Sequence, residues 1–137
     1  MSKPETYLFF DGDCAQAMRF YERVLGGKIE MMMKYGESPG AQKAGPGSAD
    51  KIIHARLALD GVALLASDWE APGMPYPGMN GFSVSLTYPT ADEARRVYAA
   101  LADGGEARMP IEKTFWTEAF GMLVDRFGTP WMVGCDH

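Results

Sequence analysis

The sequence predicts an α+β fold built from two tandem β-α-β-β-β modules, and three observations carry that prediction. Residues 7–30 have a degenerate copy at 84–109. A shift of 77 positions lays Ala17 on Ala94 and Tyr21 on Tyr98, and one inserted residue later Gly26-Gly27 falls on Gly104-Gly105. In each copy a strand-like stretch runs through a polar turn into an amphipathic helix that stops at Gly-Gly. Each copy is followed by paired, Gly-punctuated strand signals, 52–59 and 62–67 in the first and 121–127 and 130–135 in the second. A module of about sixty residues hides only part of its apolar surface alone, so the two are expected to share a core and leave a groove at their join. The expected layout is one domain over 1–137, with module one at 5–69, a linker at 70–79 and module two at 80–136.

The first strand, Tyr7 to Phe10, is short, aromatic and β-prone, and Asp11-Gly12-Asp13 ends it as a turn. Asp13 stands where a helix N-cap would stand, with Gln16 three residues on for the reciprocal contact of a capping box. Ala17, Phe20, Tyr21, Val24 and Leu25 then recur at helical spacing on one face. Gly26 closes the helix, because a left-handed residue costs Gly little. A strand is expected at 29–35 and then a loop at 36–50, which holds four Gly, two Pro and no apolar residue larger than Ala. Loops of that length are lids or disordered segments, and both alternatives stay open. In 52–59, Ile53, Ala55, Leu57 and Leu59 share one face and Ile52, His54, Arg56 and Ala58 the other. Asp60-Gly61 turns the chain into the next strand. In module two, Thr90-Ala91-Asp92-Glu93 is a capping box, Ala94, Val97, Tyr98 and Leu101 form the buried stripe, and Gly104 is the stop. A strand near 106–111, a turn at Thr114-Phe115-Trp116 and the closing hairpin around Gly128 complete the copy.

The composition excludes several function classes. A net charge of −5 offers no basic stripe for a phosphate backbone, so no nucleic-acid partner is expected. The apolar stretches fall well short of the roughly 20 residues that span a bilayer, and Met1-Ser2-Lys3-Pro4-Glu5 lacks the blocks of a signal peptide. No membrane partner and a cytoplasmic location are therefore expected. Cys14 and Cys135 are too few and too far apart for a disulfide framework or a CxxC knuckle, and two reduced thiols are expected. Ten Met residues spread adaptable apolar surface over both modules, as pocket lining or as core filler.

The strings Tyr7-Leu8-Phe9-Phe10-Asp11-Gly12, Phe20-Tyr21, Leu25-Gly26-Gly27, His54-Ala55-Arg56-Leu57, Thr114-Phe115-Trp116, Phe120-Gly121-Met122 and Asp125-Arg126-Phe127-Gly128-Thr129-Pro130-Trp131 span nearly the whole chain. On them the chain resembles the vicinal oxygen chelate superfamily (the glyoxalase, bleomycin resistance and dioxygenase fold), and within it the PhnB-like family. The resemblance implies a curved sheet from each module, a helix on each convex face and a shared cavity, commonly in a homodimer. In metal-using relatives that cavity holds a divalent ion on the first and last strands of each module. Counting from the helix Tyr and the hairpin Gly puts those positions at Thr6, Leu65, Ser83 and Met132. Such an ion needs three or four imidazole or carboxylate groups, and these four residues supply none. Neither a metal nor a cofactor is therefore expected. The demethylubiquinone methyltransferase description that some relatives carry is not expected to apply, since no Gly-rich strand-to-helix turn is present to cradle a nucleotide-like cofactor.

The resulting expectation is a metal-free homodimer that binds a small aromatic or anionic molecule between its modules. The alternative is a glyoxalase-type lyase or isomerase whose metal sits on His54 and a carboxylate such as Asp68 or Glu118. The ligand-binding candidates are Tyr7, Phe9, His54, Arg56, Trp116, Phe120 and Trp131. Each has a second reading. His54 could line the cavity as a tunable base or hold the hairpin structurally. Arg56 could grip an anion or pair with a surface carboxylate. The aromatic residues could stack on a flat ligand or fill a core or a dimer seam, and the inward face of the first strand is undecided. Asp125, among apolar neighbours, needs a partner and suggests a turn clasp.

Overall fold

The computed structural model describes residues 2–38 and 47–137 of the 137-residue chain. The chain divides into two compact units, residues 1–78 and 79–137. Unit 1 contains β1 (Thr6–Phe10), α1 (Cys14–Leu25), β2 (Lys28–Lys34), a 3-10 turn (Tyr35–Glu37), β3 (Ile52–Leu59) and β4 (Val62–Asp68). Unit 2 contains β5 (Val84–Tyr88), α2 (Ala91–Ala102), β6 (Glu106–Glu112), β7 (Phe120–Val124) and β8 (Pro130–Cys135). Both modules therefore have the expected β-α-β-β-β order. Each forms a four-stranded mixed sheet, ordered β1-β4-β3-β2 and β5-β8-β7-β6, in which the first strand runs parallel to the last and the other pairs are antiparallel.

One face of each sheet is covered by its helix. In unit 1 Leu8 pairs with Ala66 and Ala66 with Ala55, and all three are at most 1% exposed. Against that row α1 sets Ala17, Met18, Phe20, Tyr21 and Val24, all buried. Leu25, expected on the stripe, is only half-buried, and Cys14 and Met18 complete the stripe instead. In unit 2 the helix face carries Leu123, Trp131 and Val133 against Ala94, Val97 and Leu101 of α2.

The paired glycines divide their labour in the same way twice. Gly26 and Gly104 each sit at φ +77°, a backbone region an L side chain rarely adopts. Gly27 and Gly105 have ordinary φ, but a Cβ on Gly27 would lie 2.5 Å from the Ala58 carbonyl oxygen, and one on Gly105 would strike the Val124 carbonyl. The first Gly turns the chain and the second lets the helix exit lie against strand backbone.

Several boundaries differ from expectation. The predicted β7 over 121–127 ends at Val124, because Asp125–Gly128 is already the turn. The loop expected at 36–50 is seen only at its ends, since 39–46 lie outside the described residues. Those ends are tied together: Gly36 N–H donates to Ala49 O at 3.0 Å and Tyr35 N–H to Lys51 O at 2.8 Å. The expected linker at 70–79 belongs to unit 1 up to Gly78. Together with Trp69, which precedes it, this stretch is strapped along the edge strand β1, with Trp69 N–H donating to Phe10 O at 2.7 Å and the Tyr76 hydroxyl to Phe9 O at 2.7 Å.

The expected Asp13 cap is replaced. Asp13 makes no side-chain cap bond. Instead Asp68, at the end of β4, accepts from Gly12 N–H and Cys14 N–H on Oδ1, both at 2.9 Å, and from Ile52 N–H on Oδ2 at 2.8 Å. A carboxylate with three amides satisfies donors at the helix start that a local cap would otherwise serve. At α2 the expected hydroxyl cap is present: Thr90 Oγ1 accepts from Glu93 N–H at 3.2 Å.

Candidate functional site

The strand register decides which side chains share the helix-free face of unit 1. Along β1 the burial alternates, with Leu8 and Phe10 buried toward α1 and Tyr7 and Phe9 39% and 43% exposed on the other side. Tyr7 pairs with Leu65, Leu65 with Arg56 and Arg56 with Met31, which makes one row straight across the sheet. Phe9 pairs with Ser67 in the neighbouring row, and Met33 pairs with His54. Four of the seven candidates, Tyr7, Phe9, His54 and Arg56, are thereby brought onto one face.

Their rings form a continuous run. Tyr7 and His54 are stacked, with centroids 5.9 Å apart and planes 28° apart, and Tyr7 and Phe9 lie 4.9 Å apart at 37°. The run continues edge-on from Phe9 to Trp69 at 5.4 Å and 89°. The Tyr7 hydroxyl and His54 Nδ1 are 3.4 Å apart. Trp69 Nε1–H donates to Met74 O at 2.9 Å, so its polar edge is satisfied within the strap while its ring completes the row. Trp69 and Tyr76 were not among the residues singled out from sequence. The available signal was an aromatic directly after the last strand residue, opposite an aromatic first strand.

Arg56 is held by carboxylates, its Nε–H donating to Glu30 Oε1 at 3.1 Å and Nη2–H reaching Glu5 Oε2 at 3.5 Å. Beside the face, Ser48 Oγ–H and Lys51 Nζ–H donate to the two oxygens of Glu70 at 2.8 and 3.1 Å. Those bonds hold the Glu70 carboxyl below the usual carboxylate range. The Tyr35 and Tyr76 phenols are raised, first by burial and then by nearby carboxylates: Glu70 for Tyr35, Asp13 and Asp11 for Tyr76.

The positions that would hold a divalent ion do not fit one. By the pleat of β1, Thr6 lies on the helix side with Leu8 and Phe10, a correction to its counted role, and Tyr7 takes the helix-free position opposite Leu65. In unit 2 Ser85 pairs with Met132, and Ser83 precedes the strand. A phenol, a hydroxyl, a thioether and a hydrocarbon are no set for a hard or borderline cation. Asp68, offered as a partner for His54 in the metal-dependent alternative, points to the helix side with both oxygens engaged by amides. Glu118 is exposed and 3.9 Å from Lys113 Nζ. Among the described residues no three His, Cys, Asp or Glu side chains converge as a metal set.

In unit 2 the candidates separate. Trp131 is fully buried on the helix side, with Nε1–H donating to Asp125 Oδ2 at 2.8 Å, so it is a core residue and the expectation that it lines a ligand face is corrected. Asp125 Oδ1 also accepts from Phe127 N–H at 2.8 Å and Thr129 N–H at 3.0 Å, which is the turn clasp the sequence suggested. Trp116 is 54% exposed and sits 5.4 Å from Phe120 and 4.8 Å from Phe115, itself 97% exposed. Thr114 fixes that turn, its Oγ1 accepting from Trp116 N–H and Thr117 N–H. A separate hollow of about 270 Å³ in unit 2 is lined by Met79, Phe82, Ser83, Arg108, Met122 and Pro130 among others; Trp116, Phe120 and Trp131 do not line it. No described helix is long and apolar enough to cross a membrane.

Comparison with known proteins agrees with this architecture. The family model described as Glyoxalase/Bleomycin resistance protein/Dioxygenase superfamily matches residues 3–133. Protein YjdN of Escherichia coli K12 is 31% identical over 138 aligned residues, covering 93% of this chain and 90% of that one. The crystal structure of protein PA1353 from Pseudomonas aeruginosa superposes with a TM-score of 0.91 at 43% identity, covering 99% of this chain and 98% of the other. A Bacillus cereus PhnB protein, described as a putative 3-demethylubiquinone-9 3-methyltransferase, superposes with a TM-score of 0.82 at 27% identity, covering 98% of this chain and all of that one. The chain belongs to the glyoxalase/bleomycin resistance/dioxygenase superfamily and has a PhnB-like structural neighbour.

Proposed function

We propose that this superfamily member is a metal-free binding protein for a small aromatic molecule, and that the ligand rests on the helix-free face of unit 1. The observation that carries the reading is the run of four rings, His54, Tyr7, Phe9 and Trp69, on a face whose would-be metal positions offer no imidazole or carboxylate set. Flat rings bury large apolar area with little rotamer entropy to lose, and stacking adds about 0.5–1.5 kcal/mol per pair beyond area. The Tyr7–His54 pair supplies a polar point beside the rings, and Met31 and Met33 supply adaptable edges. Aromatic ligands should raise the melting temperature and perturb the His54 and Trp69 resonances. Tyr7→Ala should remove both effects without a comparable loss of fold. A broad aromatic panel that shifts neither signal sinks the reading, as does a stoichiometric divalent ion that survives purification and vanishes in His54→Ala.

Two further elements belong to the proposal. The exposed Phe115 and Trp116, fixed on a pinned turn, support a homodimer in which they are covered; Trp116→Ser should then shift the mass measured by light scattering from dimer to monomer. Two unpaired, buried thiols, Cys14 and Cys135, support a reducing, cytoplasmic setting.

A further inference from the structure

We infer that the ligand of the unit 1 face is a flat ring system bearing a positive charge, its rings against Tyr7 and Phe9 and its charge against Glu5 and Glu30. This rests on the binding reading above and adds the sign of the ligand. Arg56 is the one cation set among the candidates, in the same cross-strand row as Tyr7. It stands between two carboxylates, Glu30 at 3.1 Å and Glu5 at 3.5 Å, so the three groups sum to one negative charge. An anion reaching for that guanidinium would meet both carboxylates at the same range. Each carboxylate gives Arg56 a single oxygen, so neither is fully engaged by the guanidinium.

The opposite end of the ring run is acidic as well. Asp11 and Asp13 follow β1, and both act on the Tyr76 phenol that grips the Phe9 carbonyl. Lys51 is matched by Glu70, and Lys34 by Asp50. Lys28 shares the face, but it lies at the β2 edge opposite Ala58, beyond the Arg56 row. Ring faces themselves carry negative potential and attract cations, so the rings and the carboxylates favour the same sign.

Three two-ring probes of one shape test this: N-methylquinolinium, quinoline and quinoline-4-carboxylate, titrated at pH 7.5 and followed by chemical-shift changes at His54 and Trp69. The cation should bind roughly tenfold more tightly than the carboxylate, with quinoline between, and 0.5 M salt should narrow the gap. Arg56→Gln should tighten the cation by roughly threefold or more, and Glu30→Gln should weaken it by a similar factor. The two variants move in opposite directions, so a general loss of fold cannot mimic the result. Tighter binding of the carboxylate, or its loss in Arg56→Gln, overturns the inference. Equal binding of all three, abolished by Tyr7→Ala, overturns the charge assignment and leaves the aromatic site standing. No binding of any probe overturns both.

Discussion

Units 1 and 2 share one topology but close the start of their helices by different means. The last strand runs parallel to the first in both, with Phe10 opposite Asp68 in unit 1 and Tyr88 opposite Cys135 in unit 2. In unit 1 that final residue is a carboxylate, which collects two amides at the start of α1 and a third from β3. In unit 2 it is a thiol beside the Thr117 hydroxyl at 3.2 Å, and α2 is capped by its own Thr90. The unit 2 carboxylate sits elsewhere, in the β7–β8 turn at Asp125. A duplicated fold thus fixes which backbone amides need partners and leaves open which residue supplies them. Unit 1 draws its partner from 54 residues away along the chain, unit 2 from three.

The difference breaks first at Asp68. Replacing it with Ala leaves three N–H groups without a partner, two of them in buried bonds, each costing about 1–3 kcal/mol. Asp68→Ala should therefore cost about 3 kcal/mol or more in urea unfolding and disorganise β1, α1 and the start of β3 together. Asp68→Asn, which keeps one acceptor oxygen, should cost less. A loss as small as that of a local cap would end the contrast between the units.

Asp125→Ala comes next. It removes the carboxylate that accepts from Phe127 N–H, Thr129 N–H and the buried Trp131 Nε1–H, but two of these donors lie in a turn where backbone can rearrange. About 2–3 kcal/mol is expected, with a red-shifted Trp131 emission as water reaches the indole. Thr90→Ala removes one exposed hydroxyl acceptor from α2 and should cost about 1 kcal/mol. Amide exchange should report that loss as fraying of the first turn of α2 with α1 unaffected.

How far the sequence carried this molecule follows from the same contrast. The two modules were legible because both copies keep the features that local geometry demands: a Gly for the turn, a second Gly for the close approach and a helical stripe of apolar residues. The cap of α2 was legible because Thr90 and Glu93 are neighbours in the chain. The cap of α1 was misassigned to Asp13 because the spacing to Gln16 looks only along the chain, whereas Asp68 arrives through strand pairing. The site was half legible. Tyr7-Leu8-Phe9-Phe10 is apolar throughout, so no alternation marks its faces, and only the pairing of Leu8 with Ala66 puts Tyr7 and Phe9 on the helix-free side. Tyr76 was hidden in a Pro- and Gly-rich stretch that reads as linker but folds back on β1, and Trp69 stands just before that stretch, where nothing local marks it as part of the face. Trp131 was ambiguous until its indole was seen bonded to Asp125 inside the core.

The smallest effect gives the sharpest test, because its sign is opposite to the others. Asp13 holds the cap position without capping, half-buried, near the Asp68 and Asp11 carboxylates. Its pKa is raised, chiefly by burial and then by those two charges. A carboxyl whose folded-state pKa lies above its unfolded value favours the folded protein most when protonated. That contribution is complete below the ordinary Asp range and is lost as pH rises through the folded-state pKa. At neutral pH an ionised Asp13 is thus a small liability, and Asp13→Asn should stabilise unit 1 by no more than about 0.5 kcal/mol, the scale of surface substitutions. The gain should shrink toward zero as the pH is lowered and Asp13 takes up its proton. If Asp13 were the working cap of α1, Asn would be near neutral there, Ala would cost about 1 kcal/mol, and no gain would be seen at neutral pH. A gain in Asp13→Asn that fades in acid, beside a large loss in Asp68→Ala, would show that the cap of α1 lies on β4.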